Sequence, residues 1–491
     1  MNPLDVSLRG GVASMPAGLA RPDACEALRR CPGGHPSHGR PGGAGPRECR
    51  PPPTSRRGVR DDFRTNEEMF MRSVLFAKFA MAFACVLAAL PSPGRAQDTA
   101  DGALTVVRAA HLVDVRHRRV IDDVAVVIAG GEIRSIETGA GMPMGAEVID
   151  LGEVTLLPGL IDVHTHLLHE YDREHGDDDA NRILEIVEMR AADRALLGAR
   201  NARDMLEAGF TTVRDLGNSG INNDVALRDA IDGGWVPGPR MFVSTRALSP
   251  VGGQFQELVE AAQPLVAREY VQVDGPEQAR RAVRQAIHDG ADWIKVIVNS
   301  DSLMLSPGEM EAIVDEAHRA GVQVAAHATH GDAAAMIAVQ AGVDSIEHGY
   351  TISDDVLAVM ARKHIALVPT DSPTAEHHRA RIRRAVAAGI RIAIGSDAYY
   401  RADGLTRGQV AARIYPRYVA AGMSNMDVLR SATLLPGELL APRHPIGTIE
   451  AGARADLIAV RGDPLEDIGA LEDVAFVMKE GRTVVNRLTR P

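Results

Sequence analysis

Leu157-Pro-Gly-Leu-Ile-Asp-Val-His-Thr-His166 is the stretch on which the reading of this chain turns. Leu160 to Val163 reads as the end of a buried strand, and the histidines flanking Thr165 lie two residues apart. On extended backbone such residues point to the same side, so both imidazoles can share one cation. Two surface histidines at a strand end would look the same. Three further residues break the tie. His327, His348 and Asp397 each stand at or just beyond the end of a short apolar run: Val322-Gln-Val-Ala-Ala-His327, Asp344-Ser-Ile-Glu-His348 and Arg391-Ile-Ala-Ile-Gly395. Neutral imidazoles and a carboxylate gathered on one rim suit zinc and its neighbours.

Working outward, short apolar strands alternate with Ala-rich amphipathic helices from about 158 to 442. Thr211-Thr-Val-Arg-Asp215, Met241-Phe-Val-Ser244, Trp293-Ile-Lys-Val-Ile297 and Ile365-Ala-Leu-Val-Pro369 join the runs already quoted, to make eight strands. Eight strand–helix units predict an α/β chain with a (β/α)8 TIM barrel over 158–442, its active groups at the C-terminal ends of the strands. The flanks read as β structure. Leu104-Thr-Val-Val-Arg108, Val124-Ala-Val-Val-Ile128 and Ile133-Arg-Ser-Ile136, with Gly130-Gly131 as a hairpin turn, precede the barrel. Asp456-Leu-Ile-Ala-Val460, Val474-Ala-Phe-Val-Met478 and Thr483-Val-Val485 follow it. Residues 97–157 and 443–491 are expected to form one small β-sandwich domain from both ends of the mature chain.

Composition narrows the function. The 491 residues are 45% hydrophobic and 24% charged, as in globular proteins, and only 4% aromatic, which implies an aliphatic core. The net charge of −11 is uneven: 14 Lys+Arg and 8 Asp+Glu up to Ala96 leave 40 against 57, or −17, beyond it. A body that acidic repels phosphate backbones, so no nucleic-acid partner is expected. Cys25, Cys31, Cys49 and Cys85, all four cysteines, precede residue 97. The body therefore has no disulfide, no thiolate-held zinc and no cysteine nucleophile. It also lacks a Gly-rich phosphate loop and a Ser nucleophile elbow.

Residues 1–70 are rich in Pro, Gly and Arg without periodicity. They read as a non-folding leader or as the product of an upstream start, with Met69 or Met71 as the true one. Residues 71–96 run from Arg72 and Lys78 through the apolar stretch Phe79 to Leu90, then to small residues before Ala96, the layout of a cleavable signal peptide. An uncleaved anchor is the alternative, although the run is too short to span a bilayer. The mature chain is expected to be exported, periplasmic or secreted, with no stable membrane span, and to form a homo-oligomer.

Lys295 lies inside an apolar strand, where a charged ammonium suffers a large desolvation cost. Burial lowers its pKa, and a neutral amine beside two cations can take up carbon dioxide to give a carbamate whose two oxygens bridge them. The plain alternative is a lysine snorkelling from the strand end or paired with Asp292.

Taken together, the 157–166 stretch, Thr211-Thr-Val-Arg-Asp-Leu-Gly217, Gly290-Ala-Asp-Trp-Ile-Lys295, Ala325-Ala-His327, Ile346-Glu-His-Gly349, Gly395-Ser-Asp-Ala398 and the closing Ile446-Gly-Thr-Ile-Glu-Ala-Gly-Ala-Arg-Ala-Asp-Leu-Ile458 resemble the metal-dependent amidohydrolase superfamily. Within it they are similar to the branch of imidazolonepropionase and the Xaa-Pro dipeptidase-like amidohydrolases. The resemblance implies two divalent metal ions, with zinc expected. His164, His166 and Asp397 would hold the more buried ion, His327 and His348 the second, and N6-carboxylated Lys295 would bridge them. Asp397 would act as general base and then general acid, with His348 beside it in the catalytic set. Imidazolonepropionase works with one metal and no carbamate, so Lys295 and the export signal point to the dipeptidase-like members. The implied activity is cleavage of the C–N amide bond of a dipeptide or N-acyl amino acid by a metal-bridged hydroxide.

The substrate side departs from that branch. Its members often carry a His after a Gly-Gly and a Tyr two residues beyond the fifth-strand His. Here Gln254 follows Gly252-Gly253, and Thr329 and His330 follow His327. Gln254, His330, Tyr399 and Arg401 are the candidate substrate residues, Arg401 as a guanidinium for a substrate carboxylate. Glu170 to Asp179, with His169 and His175, reads as a solvated acidic lid, and His377-His378 opens an exposed basic helix. Two rivals stay open: a cyclic-amide hydrolase of lactam or imidazolone type, and a barrel without turnover that serves as a binding protein.

Overall fold

The computed structural model describes residues 104–139, 143–172, 174, 176–300, 303–329, 331–370, 376–402, 404–440 and 444–488. The leader, the signal-peptide stretch, His175 and His330 lie outside the described residues.

Both flanks enter one sheet. β1 (Thr105–Asp114), β2 (Arg119–Ala129) and β3 (Glu132–Thr138) form an antiparallel meander, and β4 (Glu147–Asp150) and β5 (Thr155–Pro158) pair parallel with β1. The β2–β3 turn is the expected Gly130-Gly131. Both residues have positive φ, 59° and 78°, the conformation that a two-residue hairpin demands and glycine supplies without strain. In the sheet order β17-β16-β15-β5-β1-β2-β3, the C-terminal strands β15 (Leu457–Val460), β16 (Val474–Lys479) and β17 (Arg482–Asn486) join the N-terminal ones through β15 and β5. The expected meeting of the two chain ends is present. β15 and β5 pair edge to edge, so the strands make one hydrogen-bonded sheet. Val107, Leu112, Val126, Leu156, Leu457 and Phe476 pack together on it.

Between the flanks every strand pair is parallel. β6 (Leu160–Thr165), β7 (Phe210–Asp215) and β8 (Arg240–Val243) form one sheet. β9 (Ala247–Ser249), β10 (Tyr270–Gln272), β11 (Trp293–Ile297), β12 (Gln323–Ala328), β13 (Ser345–His348) and β14 (Ala366–Val368) form a second, in the order β10-β9-β11-β12-β13-β14. β6, β7 and β11 are buried along their whole length, as strands covered on both faces must be.

Helices return the chain between strands, and their ends are written locally. The helix Pro307–Arg319 starts with proline in its first turn and a reciprocal Ser306–Glu309 capping box, and it buries Met310, Ile313, Val314 and Ala317 at the spacing of one helical face.

The eighth strand of the sequence reading, 391–395, is not a strand. It bridges β14 through Leu367 and Ile392, and Leu367 N–H donates to Arg391 O at 2.9 Å. On its other side Val163 N–H donates to Ile394 O at 3.3 Å, but Ile394 N–H turns away to Ser431 O. That diversion interrupts the ladder to β6, and β8 pairs only with β7, so the parallel strands fall into two sheets instead of one continuous ring. The short pair β9 and β10 had no signal in the sequence, each being three residues long.

Candidate metal centre

β6, β11, β12 and β13 each deliver a side chain to one cavity of about 230 Å³, and the 391–397 segment delivers another. His164, His166, Lys295, His327, His348 and Asp397 all line it. The imidazoles form a continuous row: His166 to His164 is 5.2 Å between ring centres, His164 to His348 is 4.9 Å, and His348 to His327 is 4.4 Å. Asp397 closes the row. Its carboxylate lies 3.3 Å from His166 Nε2, 3.7 Å from His164 Nε2 and 3.9 Å from His348 Nδ1. One atom each from His164, His348 and Asp397 falls within 4.8 Å of the others, close enough to share an ion. A larger hollow, about 400 Å³ between His111 and Asp463, lies away from these groups.

The backbone is bent to achieve this. His348 and Asp397 have φ of 65° and 50°, a region L-residues seldom adopt, and strain of that kind collects where a side chain must be aimed. The motif glycine has a steric cause: a Cβ on Gly395 would stand 2.5 Å from His164 Cβ and 3.0 Å from His164 N. Asp162 pins the same two segments together, its Oδ1 accepting from the N–H of His164 at 3.1 Å and of Ser396 at 2.9 Å.

Three of these imidazoles have one ring nitrogen held by a neighbour. His166 Nδ1 sits 2.9 Å from Gly217 O, and His348 Nδ1 sits 2.6 Å from Thr370 Oγ1. His164 Nδ1 sits 2.7 Å from Glu347 Oε2. Glu347 is itself held by Arg214 at 2.8 Å, whose guanidinium lies 4.4 Å over the Trp293 ring. Such partners orient metal-binding imidazoles and fix their tautomers. Glu347 and Arg214, adjacent to a quoted histidine and to a quoted aspartate, were missed from sequence because nothing marks which neighbour of a ligand turns inward.

The charge states fit a divalent cation. Burial drives His164 down to about 4, with Lys295 adding to it, and pushes His327 and His348 well below their ordinary value. Burial opposes the charge on Asp397, but His164, His166 and Lys295 outweigh it and hold the carboxyl below its usual range. The donors are thus neutral rings and an anion, the forms that ligate. Burial lowers Lys295 to about 8 against the pull of Glu347 and Asp397, which places a share of neutral amine within reach at physiological pH.

Among the candidate substrate residues, Gln254 and Tyr399 line the cavity. The Gln254 side chain accepts from Tyr270 Oη at 3.0 Å and lies 3.4 Å from His327 Nε2. Arg401 does not line it. It stands outside, 58% exposed, paired with Glu170 at 3.4 Å and Asp172 at 3.2 Å, because two carboxylates of the neighbouring loop claim its guanidinium. The solvated lid is also corrected. Asp178 begins a helix, α1 (Asp178–Glu188), and His169 is buried in the cavity wall, its Nδ1 3.1 Å from Glu185 and its ring stacked 5.5 Å from Tyr399. The acidic run had masked a capping aspartate, Asp177, and the apolar face behind it.

With this geometry the chain matches the Amidohydrolase family model over residues 155–484. The ochratoxinase of Aspergillus niger is 30% identical over 379 residues, 67% of this chain and 75% of that protein. The imidazolonepropionase of Fusobacterium nucleatum is 26% identical, over 63% of this chain and 77% of that protein. Among solved structures, a Xaa-Pro dipeptidase with bound methionine superposes with a TM-score of 0.67 at 30% identity, covering 78% of this chain and 100% of the other. On these grounds the chain belongs to the amidohydrolase family.

Proposed function

We propose that this protein is an exported, binuclear metal-dependent hydrolase that cleaves the amide C–N bond of a dipeptide or an N-acyl amino acid. The observation that carries the reading is that His164, His166, Lys295, His327, His348 and Asp397 line one cavity. His164, His166 and Asp397 would hold one ion, His327 and His348 the other, and carboxylated Lys295 would bridge them. Bound there, two divalent cations, zinc in this reading, supply an acidified water and polarise a carbonyl. Asp397, kept ionised beside His166 and His348, would take a proton from the attacking water and return it to the leaving nitrogen. His348 is held beside it by Thr370. Gln254 and Tyr399 form the substrate wall. The 391–397 segment, which hydrogen-bonds to both β14 and β6, supports reading the two parallel sheets as a TIM barrel.

Lys295 and the dipeptidase among the structural relatives favour a linear amide, whereas the imidazolonepropionase relative favours a cyclic one. Metal-supplied protein assayed against Xaa-Pro and other dipeptides, N-acyl amino acids and hydantoins separates the readings. Hydrolysis of linear amides is expected. Turnover of cyclic amides alone overturns the linear reading, and no hydrolysis with metal bound favours the binding protein. Export rests on the 71–96 pattern; among the described residues no helix is long and apolar enough to cross a membrane. Amino-terminal sequencing of exported protein should begin near Gln97.

A further inference from the structure

The substrates proposed above carry a free carboxylate, and Arg401 faces away from the cavity. Helix α1 supplies another cation. Asp177 caps it, its Oδ1 accepting from Ala180 N–H at 2.9 Å, and residues 178 and 182, four apart, share the face that lines the cavity. Arg182 is held firmly there. One terminal nitrogen donates both to Asp179 Oδ1 and to the Gln254 carbonyl, each at 2.8 Å, and the guanidinium carbon lies 5.4 Å over the Phe255 ring. A guanidinium carries five N–H donors, so fixing the head through one nitrogen leaves capacity for a planar anion. Burial opposes its charge, but its neighbours, the Asp179 carboxylate among them, outweigh that, and it stays protonated.

Two neighbours make this a built site. Tyr171 lines the same cavity and is 1% exposed, and its hydroxyl stands beside the Arg182 guanidinium with no other hydrogen-bond partner among the described residues. Buried polar groups are rarely left so, and burial raises this phenol's pKa, which keeps it a donor. Gln254 spans the guanidinium and the centre: its carbonyl takes Arg182 while its side chain reaches His327. Asp178, which accepts from Tyr399 Oη at 2.8 Å, lines the same wall.

We propose that Arg182, with the Tyr171 hydroxyl, receives the substrate's free carboxylate, so that the enzyme selects amides whose amino side ends in a C-terminal carboxylate. The proposal rests on the hydrolytic reading of the centre.

A panel of N-acetyl-L-amino acids and their carboxamides, followed by turnover and by calorimetric titration, tests it. Wild-type protein should favour the acids, and Arg182→Ala should lose roughly 10- to 100-fold in kcat/KM on the acids, mainly through KM, while the carboxamides stay nearly unchanged. Arg182→Lys should recover part of the loss, and Arg401→Ala should keep the wild-type preference. Equal treatment of acid and carboxamide by the wild type, equal loss on both in Arg182→Ala, or the loss appearing in Arg401→Ala instead overturns the proposal. If nothing is hydrolysed, the hydrolytic reading fails, and the titration still decides the role of Arg182: weaker acid binding in the variant upholds it, and unchanged binding or no acid binding by the wild type overturns it.

Discussion

His164 and Glu347 face each other inside the centre, Nδ1 of the ring 2.7 Å from Oε2 of the carboxylate, with side chains 1% and 0% exposed. The far side of Glu347 is taken by Arg214 at 2.8 Å and Ser345 Oγ at 2.5 Å, so the row from Arg214 through Glu347 fixes the ring whose Nε2 points at Asp397. Partners of this kind aim a ligand and raise its basicity, and their removal typically costs about 10- to 100-fold in metal affinity or activity. Glu347→Gln should lose metal affinity in that range while keeping its secondary structure. Competition with a chelator and circular dichroism measure the two, and unaltered affinity would refute the orienting role.

The same carboxylate gives the protein an acid limit. Burial opposes its charge, but Arg214, His164 and Lys295 outweigh it and bring it down to about 2. A carboxyl whose pKa is lower in the folded chain than in the unfolded one binds fewer protons when folded, so its contribution is full above about pH 4.5 and is lost as pH falls towards 2. Its size is on the order of 3 kcal/mol. Denaturant unfolding of wild type and Glu347→Gln as a function of pH isolates it, because Asp162 and Asp224, which burial raises to about 6 and about 7, are common to both proteins. The stability gap should narrow below about pH 4.5, whereas a gap independent of pH would count against the assignment.

Gly395→Ala places a methyl carbon 2.5 Å from His164 Cβ and 2.9 Å from Val368 Cγ1, against strands that cannot both retreat. A loss of about 1–3 kcal/mol is expected, accompanied by weaker metal binding because His164 is the group displaced. Thermal unfolding with and without added metal reads both effects.

Asp397→Asn keeps shape and volume and suits the left-handed backbone at φ 50°. It removes the negative charge and the proton acceptor. The expected result is an intact fold with turnover lowered roughly 100- to 10,000-fold. A wild-type rate in this variant would take the proton-transfer role away from Asp397.

Much of this cavity's lining could be read from the chain because the candidate ligands sit at or near strand ends: His164 and His166 stand out by their spacing, Lys295 by its apolar surroundings. What escaped depended on direction. Whether Arg401 or Arg182 enters the cavity follows from which carboxylates lie beside each in space, and Glu170 and Asp172 decide it against Arg401. The strand-like run 391–395 has the right composition, yet Ile394 spends its N–H on Ser431, a residue far along the chain. His169 looked solvated because its partner Glu185 lies a helix away.

Metal stoichiometry tests the central claim most directly. Elemental analysis of protein purified with divalent metal and carbon dioxide present should find about two ions per wild-type chain and about one or fewer in Lys295→Ala, partly restored by small carboxylic acids. A wild-type chain that takes up no divalent ion, or a Lys295→Ala variant that keeps the full complement, would contradict the account.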